Sequence, residues 1–152
     1  MPKRIISIIL VGIIKNAIEN TPDEGRIDLL VKDTPLGVHF SVHDFGTGVV
    51  TSDCEQIFGG FYPTQETDRY ATKQPYDFNA GGKGTDLLRI KIFSESYGFK
   101  VYMTSARCTH IPTTQDTCPG SITLCKHCKT PEDCYSSGTT TVTVDFSCNQ
   151  SG

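Results

Sequence analysis

The residues best suited to chemistry are one carboxamide, one carboxylate and two glycine-rich loops. Asn16 lies within a helical pattern, and an amide oxygen is a hard ligand that suits Mg²⁺. Asp44 ends a predicted strand, where its carboxylate can accept a hydrogen bond from an amine. The glycine-rich runs at residues 44–48 and 81–85 let the backbone approach a bound group closely, and the helix after the second run favours negative charge at its N-terminus. These residue types fit a phosphorylated ligand bound together with a metal ion.

Cysteines form a second group, because five of the seven fall within 27 residues. Cys125 and Cys128 make a C-x-x-C motif, with Cys118 seven residues before it and Cys134 six residues after it. Four thiolates at this spacing suit a tetrahedral, structural Zn²⁺. Free thiols, disulfides, an iron–sulfur centre or redox sensor, and Cys108 as a substitute ligand stay open as alternatives.

Hydrophobic spacing and turn residues predict the elements that position these groups. Apolar residues at intervals of three and four predict one helix that ends near Thr21-Pro22 and a second that follows the later glycine run. A short helix at residues 52–58 and a polar lid at residues 62–83 separate the two halves. The predicted helices are residues 5–20 and 84–97, and the predicted strands are residues 26–32, 37–43, 99–105 and 139–146.

Residues 1–152 are expected to form a single domain, with a cysteine-rich insert at residues 106–137 before the last strand. The insert has three prolines and no apolar face, so we expect a metal ion to hold it, away from the ligand site. The net charge of -3, without a basic run, argues against nucleic acid as a partner. The apolar run at residues 5–14 is too short to span a bilayer, which predicts a cytoplasmic segment without direct membrane contact.

The order of four segments resembles the ATP-binding domain of bacterial sensor histidine kinases, in the GHKL (Bergerat-fold) ATPase superfamily. These segments are the helix end at residues 15–22, the run Asp44-Phe45-Gly46-Thr47-Gly48, the run at residues 57–61 and the run at residues 81–85. The resemblance implies a two-layer α/β sandwich, with a mixed sheet covered by helices on one face.

The resemblance also implies the ligands, which are ATP and Mg²⁺. Asn16 would hold the metal ion and Asp44 would accept a hydrogen bond from the adenine amino group, while Asn16 and Lys83 would be the catalytic residues. The full set that the resemblance assigns to nucleotide binding is Asn16, Asn20, Asp44, Gly46, Gly48, Gly82, Lys83, Gly84, Thr85 and Thr140.

Three departures from the family pattern bear on the reaction. The second glycine run loses two glycines, which are replaced by Asp86 and Leu88. Glu19 and Asn20 stand where the family has a basic and an aromatic residue. Hydrolytic relatives carry a glutamate four residues before the metal-binding Asn, and here that position is Gly12, which favours phosphoryl transfer over hydrolysis.

The implied function is a histidine kinase catalytic domain that phosphorylates a histidine on an upstream dimerisation and phosphoacceptor domain, with a response regulator as the next partner. None of the four histidines, His39, His43, His110 and His127, lies in a predicted amphipathic helix of the kind that carries the acceptor. One alternative is a serine kinase of the anti-sigma-factor kind. Another is a nucleotide- or metal-responsive interaction module that has lost turnover.

Overall fold

The computed structural model describes residues 1–49, 85–113 and 115–148. Helix α1 spans Lys3–Asn20, and it buries Ile9, Ile13 and Ala17 at helical spacing, as the sequence predicted. The helix ends where Thr21 turns to an extended conformation, which is the conformation that a following proline favours. The Thr21 hydroxyl donates a hydrogen bond of 2.6 Å to the Ala17 carbonyl and so satisfies one of the last carbonyls of the helix.

Four strands form one sheet in the order β1-β2-β4-β3. The predicted hairpin is present, with a two-residue turn between its strands, and all three strand pairings are antiparallel. The prediction of a mixed sheet is therefore wrong for the described strands. The hairpin turn and the return of β4 beside β2 make every neighbour run in the opposite direction. The strands are β1 Ile27–Thr34, β2 Gly37–Asp44, β3 Lys100–Ala106 and β4 Thr139–Ser147.

Helix α2, Thr85–Tyr97, packs with α1 over one face of the sheet. Leu87 and Ile90 of α2 are buried in a core that they share with α1 and with the inward-facing residues of the two central strands. Alternate residues of a strand point to the same face, so this core confirms the predicted two-layer sandwich. The strand residues of the core are Phe40, Val42, Val142 and Val144.

Polar pairs line the other face of the sheet. His39 Nδ1 lies 2.7 Å from a carboxylate oxygen of Asp145, and the Tyr102 hydroxyl donates a hydrogen bond of 2.8 Å to the other oxygen. His43 Nδ1 lies 2.6 Å from the Thr141 hydroxyl. This face of the sheet is therefore polar, and the hydrophobic core lies on the opposite face, which the helices cover.

The cysteine-rich insert lies between β3 and β4 and contains a short helix, α3, at Pro131–Tyr135. Ile111 and Ile122 are buried, so the insert does place apolar side chains away from water, which the sequence did not predict. A capping box between Thr130 and Asp133 begins α3. Across the described ranges, we find no helix with the length and apolar character that crossing a membrane requires.

Candidate functional site

The end of β2 brings a buried carboxylate opposite a buried hydroxyl. Asp44 is 1% exposed and pairs directly with Thr140, which is 4% exposed. Directly opposed residues in an antiparallel pair project to the same face, here the face under the helices. The Gly46 N–H donates a hydrogen bond of 3.1 Å to Asp44 Oδ1, and the Thr140 hydroxyl lies 2.7 Å from that of Ser105. These bonds fix both groups in a water-poor position where they can recognise a polar ligand.

The first glycine loop lies against the C-terminal end of α1. The Thr47 N–H donates a hydrogen bond of 3.0 Å to the Asn20 carbonyl. A Cβ on Gly46 would be 2.1 Å from that same carbonyl oxygen, so only glycine fits there. Gly48 has a φ of +61°, and a Cβ there would be 1.9 Å from the Ala106 carbonyl oxygen. Gly46 therefore lets the loop pack closely on the end of α1, and Gly48 lets it pack closely on the end of β3.

Asn16 lies one helical turn before Asn20, on the helix that touches the loop. Its backbone carbonyl accepts a hydrogen bond of 2.9 Å from the Asn20 side chain. The Asn16 side chain is half-buried, and its carboxamide makes no hydrogen bond to another residue within the described ranges. A carboxamide in this position fits the Mg²⁺ ligand that the sequence predicted.

A depression of about 290 Å³ lies between α1 and α2 and includes Gly12, one turn before Asn16. Three cationic side chains line it, and they favour a negatively charged group. The sequence did not single out Arg4 or Arg89, because these residues are far apart in the chain and only helix packing brings them together. The lining residues are Arg4, Ser7, Ile8, Val11, Gly12, Lys15 and Arg89.

Part of the predicted phosphate site falls outside the described residues. Gly82, Lys83 and Gly84 lie there, as do the short helix at residues 52–58 and the lid at residues 62–83. Thr85 begins α2, but its side chain is likewise not described. The described residues of the predicted site therefore lie at the end of α1, in the first glycine loop and at the facing ends of β2 and β4.

The five cysteines of the cluster are free thiols, and all of them are half-buried. Burial, followed by the effect of Cys125, raises the pKa of Cys128 to about 12, and burial raises the pKa of Cys134 to about 11. Within the described ranges, we find no group of three or more His, Cys, Asp or Glu side chains that could hold a metal ion.

The cysteine-rich insert lies against the first glycine loop. The Cys108 N–H donates a hydrogen bond of 2.7 Å to the Thr47 carbonyl. A Cβ on Gly138, just after the insert, would be 2.7 Å from the Gly46 carbonyl oxygen. The two ends of the insert therefore pack against this loop, and the expectation that its metal ion lies away from the ligand site stays a prediction.

Comparison with known proteins places this geometry in a family. Residues 3–147 match the family of histidine kinase-, DNA gyrase B- and HSP90-like ATPases. Over 66 residues the chain is 35% identical to the sensor protein CiaH of Streptococcus pneumoniae, an alignment that covers 43% of this chain and 14% of that protein. Over 58 residues it is 33% identical to sporulation kinase A of Bacillus subtilis, covering 38% of this chain and 10% of that protein. The alignments thus span only a small part of these relatives.

Solved structures share the fold. The mycobacterial sensor histidine kinase MprB aligns with a TM-score of 0.58 at 16% identity, over 95% of this chain and 71% of that one. The catalytic domain of the histidine kinase ThkA aligns with a TM-score of 0.52 at 20% identity, over 93% and 65%. Because the family match extends over nearly the whole sequence, the chain belongs to the histidine kinase-, DNA gyrase B- and HSP90-like ATPase family.

Proposed function

We propose that the chain is the ATP-binding catalytic domain of a two-component sensor histidine kinase, which transfers the γ-phosphoryl group of ATP to a histidine on an upstream domain. The observation that carries this proposal is the buried Asp44 opposite Thr140, beside a glycine loop that touches the end of α1. The site has the features of a base-recognition pocket next to a metal-binding helix.

Asp44 is the proposed reader of the base. The Gly46 N–H orients its carboxylate, which accepts a hydrogen bond from the adenine amino group. A guanine carbonyl in the same place would face the carboxylate as a second acceptor with no hydrogen between them, so Asp44 selects ATP over GTP. Thr140 of β4 pairs directly with Asp44, and the Asn20 carbonyl of α1 accepts a hydrogen bond from Thr47 in the adjoining glycine loop.

Asn16 is the proposed protein ligand of Mg²⁺. A Mg²⁺ ion held there would supply positive charge that stabilises the phosphates during phosphoryl transfer. Among the residues outside the described ranges, Gly82, Lys83 and Gly84 are proposed phosphate contacts, together with Thr85 at the start of α2. The cationic depression beside Gly12 adds positive potential on the same side of α1.

The phosphoacceptor is proposed to lie on a separate domain, because each of the four histidines is engaged within the fold. His39 contacts Asp145, and His43 contacts Thr141. His110 and His127 stack on each other with ring centres 5.0 Å apart. A response regulator would then accept the phosphoryl group from that histidine. We place this transfer in the cytoplasm, because the chain is related to a sensor protein.

Two other functions are weaker candidates. A serine kinase of the anti-sigma-factor kind is not favoured, since the relatives named above are a sensor protein, a sporulation kinase and histidine kinases. An interaction module without turnover is suggested by Asp86 and Leu88, which replace glycines of the second glycine run.

A phosphotransfer assay separates these functions. The chain is mixed with γ-labelled ATP, Mg²⁺ and a helical acceptor domain that carries a histidine. We expect acid-labile, base-stable phosphate on the acceptor, which is absent when its histidine is replaced by alanine. Acid-stable phosphate would indicate a serine kinase, and ATP binding without transfer to any of several acceptors would indicate an interaction module.

A further inference from the structure

Strand β1 forms one edge of the sheet, and its outer side has no partner among the described strands. Three consecutive apolar side chains of β1 are largely exposed, Leu29 at 55%, Leu30 at 51% and Val31 at 65%. Consecutive residues of a strand point to opposite faces, so this part of β1 is uncovered on both faces. A run of exposed apolar residues on a free edge strand is a template for pairing with another strand.

The opposite edge strand, β3, is covered on one face. Its exposed and half-buried residues alternate, and Val101 and Met103 pack against the core. Leu29 and Val31 of β1 point to the same face of the sheet, because they pair with core residues of β2, and yet they remain exposed. The helices therefore leave the core-side face of β1 open to a partner.

The free backbone groups of β1 follow from its pairing with β2. The Phe45 N–H donates a hydrogen bond of 3.1 Å to the Arg26 carbonyl, so Arg26 directs its backbone groups toward β2. The direction alternates along an antiparallel strand, so the even-numbered residues of β1 also point toward β2 and the odd-numbered residues point toward the free edge. The outward-pointing N–H and carbonyl groups are those of Ile27, Leu29, Val31 and Asp33.

The sequence of β1 is complementary to itself when two copies pair in antiparallel fashion about Leu30. In this register Asp28 of one copy lies opposite Lys32 of the other, and Leu29 lies opposite Val31. The backbone pattern agrees, because the outward-pointing groups of Leu29 and Val31 can exchange hydrogen bonds. The oppositely charged pair then falls on the non-hydrogen-bonded positions, where opposed side chains are closest.

Other registers are less favourable. A pair centred on Leu29 would bring Arg26 opposite Lys32, which are like charges, and a pair centred on Val31 would bring Lys32 opposite Leu30. A centre between two residues would place outward-pointing backbone groups opposite inward-pointing ones, so the hydrogen bonds between the strands could not form. Charge and hydrogen bonding thus select the register about Leu30.

The charged side chains are accessible for this contact. Asp28 Oδ1 accepts a hydrogen bond of 2.8 Å from Arg26 Nε, and both side chains remain about half exposed. Lys32 is exposed and makes no ion pair within the described ranges. Two such Asp28–Lys32 pairs, related by the symmetry axis, would fix the register and add little to the affinity, because solvent screens exposed ion pairs.

We propose that the chain forms a symmetric dimer through β1, in which the four-stranded sheets of two copies join into one continuous antiparallel sheet. Leu29 and Val31 of both copies form one apolar cluster on the core-side face. On the other face, Leu30 lies against its symmetry mate between the two Asp28–Lys32 pairs. One strand pair is smaller than the roughly 800 Å² per partner of a standard interface, so the dimer should dissociate on dilution. This interface does not depend on the proposed function.

The first test measures the mass of the whole chain by sedimentation velocity over a roughly hundredfold range of concentration. Reducing conditions prevent disulfide links through the exposed Cys148. We expect the average mass to rise from that of one chain toward that of two. Lys32→Asp puts like charges opposite each other twice and should weaken dimerisation at least about tenfold. The double variant Asp28→Lys/Lys32→Asp restores opposite charges and should restore the dimer. Lys126→Asp, at an exposed lysine of the insert, is the matched control.

Amide hydrogen exchange of the parent chain tests the strand directly. The N–H groups of Leu29 and Val31 gain partners in the dimer, so their exchange should slow as the concentration rises. The N–H groups of Leu30 and Lys32 already face β2, so their exchange should change much less.

Three results would overturn the proposal. The first is a chain that stays monomeric at every concentration, which would leave the edge to a partner other than this chain. The second is a dimer in which the exchange of Leu29 and Val31 is unchanged. The third is a dimer that survives Lys32→Asp, or one that is lost in Lys32→Asp and not restored in the double variant when circular dichroism shows both variants to be folded.

Discussion

Asp44 and Thr140 lie directly opposite each other in β2 and β4, on the face of the sheet that the helices cover. Toward the middle of the same strands, this face holds the core pairs Val42–Val142 and Phe40–Val144. A carboxylate buried next to such apolar pairs is energetically costly unless it has a hydrogen-bond donor as a partner. The Gly46 N–H provides one partner, and the proposed adenine amino group provides another.

Replacing Asp44 by Asn should weaken ATP binding by about 1–3 kcal/mol, because the amide turns a donor toward the adenine amino group. Isothermal titration calorimetry with Mg²⁺ present measures the change. Asp145→Asn is the matched control, since Asp145 lies on the opposite face with His39 and Tyr102. Equal ATP affinity in the Asp44 variant and the parent chain would remove Asp44 from base recognition.

Asn16→Ala should abolish the Mg²⁺-dependent part of ATP binding and leave the fold intact, because the half-buried carboxamide makes no hydrogen bond within the described structure. The measurement compares ATP affinity with Mg²⁺ and with EDTA, and circular dichroism checks the fold. Ser96→Ala, at an exposed position on α2, serves as control. A variant that retains the full effect of Mg²⁺ would show that Asn16 is not the metal ligand.

Two glycines with positive φ should respond very differently to alanine. Gly98 has a φ of +70°, and a Cβ added there would have no neighbouring atoms within 4 Å, so Gly98→Ala should cost about 1–2 kcal/mol in the free energy of unfolding. Gly48→Ala adds a clash with the Ala106 carbonyl, which brings its cost to about 2–5 kcal/mol. Urea unfolding of both variants tests this difference. Similar midpoints would argue against the close packing of the glycine loop on β3.

The hydrogen bonding of Glu24 to the cysteine-rich insert should depend on pH. Hydrogen bonding, first from Ser121 and also from Thr123 and Ile122, holds the pKa of Glu24 below its ordinary value of 4.5. The ionised carboxylate therefore contributes stability above about pH 4.5, and this contribution is lost as the pH falls through the lower folded-state pKa. Melting temperatures of the parent chain and of Glu24→Gln should differ at pH 7 and converge as the pH falls below the folded-state pKa of Glu24. Glu95→Gln, at an exposed pair with Lys91, is the control. A difference that stays constant across this range would contradict the assignment.

The sequence predicted the local elements well because each has a strong local signal. The helix that ends before Thr21-Pro22 and the hairpin around Pro35-Leu36 lie within about two residues of their predicted bounds. The contacts of the insert were not predictable in this way. Glu24 and Ser121 are 97 residues apart, and their hydrogen bond forms only after the sheet brings the insert beside the turn. The pairing of Asp44 with Thr140 likewise depends on sheet register, which the sequence pattern of a single strand does not determine.

The most direct test of the central claim is an NMR titration of the ¹⁵N-labelled chain with ATP and Mg²⁺. The proposed site predicts saturable changes in amide chemical shift that are largest at Gly46, Gly48 and Thr140. Changes at His39 and Tyr102, on the far face of the sheet, should be much smaller. A titration without saturable shifts, or one in which His39 and Tyr102 shift most, would contradict nucleotide binding at this site.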